Sequence, residues 1–164
     1  MSAPRPRSGR EALRRLRLEA EQAGRSTNQA NPTGSSGMIV GTGVDIVETS
    51  RIAEALERHG ERFSKRLYTP AEIAYCEKFK NRTERYAARF AAKEAAFKAL
   101  GTGWRNGIRW LDVEVTHRPS GQPELVLSGR AQELARELGV RRMAISLSHS
   151  DRYAVAQVIF EDDD

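Results

Sequence analysis

Cysteine occurs once in 164 residues, at Cys76, so neither an internal disulfide nor a cysteine-cluster metal site can be built. Long apolar runs are missing as well. Ala154-Val155-Ala156 followed by Gln157-Val158-Ile159-Phe160 is among the longest, far short of the about 20 residues a bilayer-spanning helix needs. The opening Met1-Ser2-Ala3-Pro4-Arg5-Pro6 has no apolar core, which argues against a secretory signal and for a cytoplasmic protein. No dinucleotide fingerprint is present, because Gly41-Thr42-Gly43 would need a third glycine at position 46, which is Ile46. A phosphate-binding loop and a Gly-x-Ser-x-Gly elbow are absent too. Ser148, His149 and Asp151 lie close in sequence, but hydrolase triads draw their members from separate elements, so this proximity is poor evidence for one. What remains is a soluble composition, 39% hydrophobic and 30% charged, at a length that suits one domain.

The net charge of +5 suggests nucleic acid until it is mapped. Residues 1–37 hold seven Arg and three Glu, leaving 20 basic and 19 acidic residues in 38–164. The segment 51–109 carries 14 basic against seven acidic residues, and 111–164 carries six against ten. A nearly neutral domain with one basic half suits an acidic protein or a polyphosphate ligand better than a duplex. Residues 1–37 read as a disordered basic extension or linker, since Gly24 to Gly37 offers almost nothing to bury. The folded domain is expected over 38–164, with a natural start at Met38.

Met38 to Val47 is β-branched and apolar, hence a buried strand. Thr49 or Ser50 then opens a helix expected to close at Gly60. Thr69-Pro70-Ala71-Glu72 is a capping box with proline in the first turn, predicting a helix to about Lys80. The longest helix runs from Thr83 to Gly101 with Tyr86, Phe90, Phe97 and Leu100 toward the core. A hairpin of residues 111–116 and 124–127, a helix over 130–138 and strands over 143–148 and 153–160 complete the order β-ααα-ββ-α-ββ. That order predicts an α+β fold, a largely antiparallel sheet packed against the long helix.

Asp45 stands in the most apolar run of the chain. A carboxylate there needs compensation, or it merely caps the strand end or pairs with an arginine. On the long helix, Arg89, Lys93, Glu94 and Lys98 fall within three turns. Glu94 and Lys98 share a face, and Arg89 and Lys93 share a neighbouring one. They are either a solvated face with one ion pair or charged arms standing among Ala91, Ala92, Ala95, Ala96 and Ala99, with room for a ligand. Ser148 and His149 end a strand.

Gly43-Val44-Asp45-Ile46-Val47, Arg89-Phe90-Ala91-Ala92-Lys93-Glu94-Ala95 with Lys98-Ala99-Leu100-Gly101-Thr102-Gly103, and Ser146-Leu147-Ser148-His149-Ser150 together resemble the signature of holo-acyl-carrier-protein synthases of the phosphopantetheinyl transferase superfamily. The resemblance spans Met38 to about Phe160. It implies transfer of 4′-phosphopantetheine from coenzyme A to a serine of an acidic apo acyl carrier protein, with release of adenosine 3′,5′-bisphosphate, in support of fatty acid biosynthesis. It implies Mg²⁺ held by Asp45 and Glu94, the remaining ligands being pyrophosphate oxygens and water. Lys98 would neutralise charge on the transferred phosphoryl or protonate the departing bisphosphate, and Glu94 or a water on the ion would take the serine proton. Arg89, Lys93, Lys98, Ser148 and His149 would contact coenzyme A. Val47 stands where larger members of the superfamily carry a third acidic ligand, which matches the short branch, a homotrimer with active sites at subunit interfaces. Arg51 and Arg58, seven apart on one helix face, are candidates for docking the carrier protein. The acidic end Glu161-Asp162-Asp163-Asp164 and Trp104-Arg105 have no role in this pattern.

Two competing readings remain at this level. One is a non-catalytic binding module for an acidic protein, which has no use for the Asp45 and Glu94 pair. The other is nucleic-acid binding through the basic leader, which predicts loss of activity when residues 1–37 are removed.

Overall fold

The structure, a computed structural model, describes residues 37–103 and 105–162. The expected leader up to residue 36 and Trp104 lie outside the described residues. Strand β1 (Ile39–Glu48) leads into helices α1 (Thr49–Leu67), α2 (Pro70–Cys76) and α3 (Arg82–Ala99). A 3₁₀ turn (Trp110–Asp112) precedes the hairpin β2 (Val113–His117) and β3 (Pro123–Leu127). Helix α4 (Gly129–Glu137) and strands β4 (Arg142–His149) and β5 (Tyr153–Glu161) follow. All strand pairings among the described residues are antiparallel, in one sheet of order β1-β5-β4 and a separate two-stranded sheet β2-β3. The α+β class holds, with the antiparallel pairing divided between two sheets.

Helix α3 is the axis of the domain. From Tyr86 to Ala99 every residue except Lys98 is buried, so its aromatic stripe is one side of an element covered all round. The alanines serve that covering. Ala87, Ala91, Ala92, Ala95 and Ala96 are fully buried. The approach to β1 is closest of all. A Cβ on Gly41 or Gly43 would overlap the carbonyl oxygens of Ala99 and Ala95, so only glycine lets strand and helix meet there.

Two boundaries differ from expectation. Gly60 does not end α1 but kinks it, with φ 49° and ψ −132°, and a second helical segment continues to Leu67 because Phe63 and Leu67 reach the core. Helix α2 keeps its capping box, with Thr69 accepting from Glu72 N–H and Glu72 accepting from Thr69 N–H, but stops at Cys76. At the far end of the sheet, Met38 N–H donates to Asp162 Oδ1 at 2.6 Å and Asp162 N–H donates to Met38 O at 3.0 Å. Asp162 thus closes the β1–β5 pair, while Asp163 and Asp164 lie outside the described residues.

Candidate active site

On β1, residues alternate between a face under α3 and an outer face. Asp45 falls on the inner face, 6% exposed. Its compensation is Lys98. The ammonium donates to Asp45 Oδ1 at 3.0 Å and to Val44 O at 2.9 Å, and its own side chain keeps 25% exposure. Burial pushes the Asp45 carboxyl above its ordinary value, and the Lys98 charge and hydrogen bond pull it part of the way back. Glu94 lies one turn before Lys98 on the same face of α3 and is buried. Two elements locked by the glycine contact therefore present Asp45 and Lys98 in direct contact, with Glu94 beside them.

This donor set suits a particular kind of ion. Among the described residues no three His, Cys, Asp or Glu side chains cluster as a complete metal cage. Two carboxylates with Val47 buried in place of a third match an ion that keeps water and takes phosphate oxygens from its substrate.

Lys93 departs from expectation most sharply. Its side chain is fully buried, and Nζ bonds Glu72 Oε2 at 2.8 Å, Trp110 O at 3.1 Å and, in a very short contact, Val113 O. All three ammonium donors are used inside the core. The physical reason is that α3 is buried on both flanks, so its neighbouring face is not a surface. Arg89 is also buried, 2% exposed, with its guanidinium 4.1 Å from the Tyr75 ring centroid. Nine residues, or two and a half turns, put it on the opposite side of α3 from Lys98.

Ser148 is exposed on the outer sheet face, paired with Val155, while His149 Nδ1 lies 3.0 Å from Glu84 Oε2 at the start of α3. Arg58 makes a loose pair with Glu54 at 3.8 Å on α1, where Arg51 also lies. Glu72 was legible in the sequence only as a capping residue, and nothing in the sequence marked Glu84 as the partner of His149.

A buried aspartate on an edge strand, met by a lysine from a central helix that also carries a buried glutamate, defines a small α+β domain with an acidic site opened by one cation. Residues 41–158 match the family model for the 4′-phosphopantetheinyl transferase superfamily. The chain belongs to that superfamily. A holo-[acyl-carrier-protein] synthase of Koribacter versatilis is 57% identical over 125 residues, covering 76% of this chain and 100% of that protein. The crystal structure of holo-[acyl-carrier-protein] synthase from Neisseria meningitidis superposes with a TM-score of 0.69 at 34% identity, over 76% of this chain and 100% of that one. The Bacillus anthracis enzyme, solved in complex with CoA (3′,5′-ADP), gives a TM-score of 0.65 at 38% identity, over 77% and 99% of the two chains. Transfer of phosphopantetheine from coenzyme A to apo acyl carrier protein is the function these relatives support. Among the described residues no helix is long and apolar enough to cross a membrane.

Proposed function

We propose that this chain transfers 4′-phosphopantetheine from coenzyme A to a serine of an acidic apo acyl carrier protein, with Mg²⁺ held by Asp45 and Glu94, in support of fatty acid biosynthesis. The observation that carries the reading is the buried Asp45 in contact with a partly exposed Lys98 beside Glu94. The ion, when bound, would offset negative charge on the pyrophosphate. The chain's own groups do the rest. Glu94 takes the proton of the attacking serine hydroxyl as its oxygen bonds to phosphorus. Lys98 lies at the mouth of the site, where its charge meets the oxygen of the departing adenosine 3′,5′-bisphosphate as the phosphoanhydride bond breaks. The proton gained by Glu94 balances the one lost by serine. Ser148, His149 and Arg89 remain candidates for the coenzyme A phosphates, and Arg51 and Arg58 for the carrier protein.

A homotrimer with active sites between subunits is part of this reading. Its support is the outer face of the three-stranded sheet, where Val44 and Ile46 are 59% and 61% exposed beside Tyr153 and Val155. A contiguous apolar sheet face of this kind marks an interface more often than open surface. It would place Ser148, on that face, at the subunit boundary, and light scattering should return three chain masses.

The direct test of activity is intact mass of an apo carrier protein after incubation with this protein, coenzyme A and Mg²⁺. Addition of one phosphopantetheine, abolished by chelator, is the expected result. An unchanged carrier mass in the presence of both substrates and the ion would exclude the activity and favour a pure binding module.

A further inference from the structure

Next to the site, and hidden from it, a second lysine–carboxylate pair uses every polar atom it has. Lys93 Nζ bonds Glu72 Oε2, Trp110 O and Val113 O. The other oxygen, Glu72 Oε1, accepts from Val115 N–H at 2.9 Å, and Oε2 also accepts from Thr69 N–H at 2.9 Å. Thr69 Oγ1 in turn donates to Glu114 Oε2 in a very short contact. Both side chains of the pair are fully buried. One node thus joins the start of α2, the 3₁₀ turn, β2 and the middle of α3.

Stability alone is a poor reason for such a pair. Desolvating two charges offsets their attraction, and apolar side chains of similar volume often fold as well or better. The node instead fixes something an apolar contact leaves soft, the rotation of α3 about its axis. On the sheet side, Gly41 and Gly43 set how closely α3 approaches β1, but backbone packing carries no directional bond. The Lys93 ammonium, held by three acceptors on the other side, carries three. The next residue is Glu94. With side chains reaching about 6 Å from a helix axis, a rotation of about 10° would carry its carboxylate by roughly 1 Å, and displacements on that scale can cost about 100-fold in rate.

We propose that Glu72 and Lys93 are positioning residues that set the place of the Glu94 carboxylate opposite Asp45. The inference rests on the reading that Glu94 works in the reaction, and the experiment separates the two. The full chain is compared with E72Q, with the charge-free double variant E72Q/K93M, and with E94A. Measured are far-UV circular dichroism, Tm, kcat, KM for each substrate, and Mn²⁺ affinity by electron paramagnetic resonance. The double variant leaves no lone buried charge, so it carries the test if the single variant does not fold. Expected for the folded variants are a kcat lowered roughly 10- to 100-fold, a carrier KM within about twofold, and a weakened Mn²⁺ affinity. Turnover and Mn²⁺ affinity within about twofold of the parent, however far Tm falls, would show a merely structural pair and overturn the proposal. An inactive E94A beside a fully active double variant removes this proposal alone. A fully active E94A removes the role of Glu94 and this proposal with it.

Discussion

Helix α3 carries two lysines five residues apart, each paired with a carboxylate distant in sequence, and the pairs sit in opposite surroundings. Lys93 and Glu72 meet at 2.8 Å with no exposure of either side chain. Lys98 and Asp45 meet at 3.0 Å with the lysine side chain 25% exposed. Among the described residues the Lys98 ammonium uses two of its three donors, while Lys93 uses all three. The two lysines therefore differ not in distance to a carboxylate, which is nearly equal, but in what is left over after pairing. The spare donor and the solvent-facing stem belong to Lys98.

The comparison breaks most visibly at the carboxylates. Asp45→Ala and Glu94→Ala should each lower kcat by at least about 100-fold, the scale seen when one preorganised electrostatic group is removed, while circular dichroism stays native. Lys98→Ala should cost roughly tenfold or more in kcat but leave Mn²⁺ affinity nearly unchanged, because an ammonium is not a metal ligand. An Asp45→Ala protein that unfolds, with residual enzyme turning over normally, would make the Asp45–Lys98 pair as structural as the buried one.

Much of this was written in the chain and some was not. Strand β1, the capping box at Thr69 and Glu72 and the core aromatics of α3 follow from local pattern, because apolar period and cap chemistry act over a few residues. Asp45 was legible for the same reason, a lone charge in an apolar strand. The role of Lys93 was not. In a helix buried on every side, periodicity no longer separates a solvent face from a core face, so four charged residues within three turns look alike. What distinguishes them is contact with Trp110, Val113 and Glu72, which only the tertiary fold brings near. The continuation of α1 past Gly60 was hidden likewise, since a glycine stop and a glycine kink read the same until Phe63 and Leu67 find the core.

A second test uses protons. Burial raises the Asp45 carboxyl above its ordinary value despite Lys98, so the folded state holds this proton to higher pH than the unfolded chain does. Between the two values the folded state binds more protons, and stability from this group falls as pH rises through that interval. In chelator, urea unfolding followed from about pH 4 to about pH 8 should show that decline in the parent and a shallower one in Asp45→Asn. Identical slopes would mean that Lys98 neutralises the carboxylate fully, making the open pair as well compensated as the closed one.

A smaller effect is expected farther out, on α1. Exposed charges that steer a partner act through encounter, and they are screened over about 10 Å at 0.1 M salt. Reversing Arg51 and Arg58 to Glu should raise KM for the carrier protein several-fold, about the coupling expected of two rim charges, and leave KM for coenzyme A unchanged. Added salt should weaken the parent more than the variant. An unchanged carrier KM would move the docking surface elsewhere.

The smallest effect should come from removing residues 1–37. The match to the superfamily begins at residue 41, and among the described residues this end of the sheet is tied by the reciprocal pair between Met38 and Asp162. Among the described residues the register from Gly41 to Glu48 pairs β1 with β5 without a break. A chain beginning at Met38 should therefore keep its kcat, and its Tm should hold or rise slightly. The rise has a specific source: the Met38 nitrogen, an amide in the full chain, becomes a charged amine 2.6 Å from the Asp162 carboxylate, and a partly exposed ion pair of this kind adds up to about 1 kcal/mol. Replacing Asp162 with Asn in the shortened chain should erase the gain. A shortened chain that loses turnover while keeping its Tm would instead give the basic leader a part in the reaction.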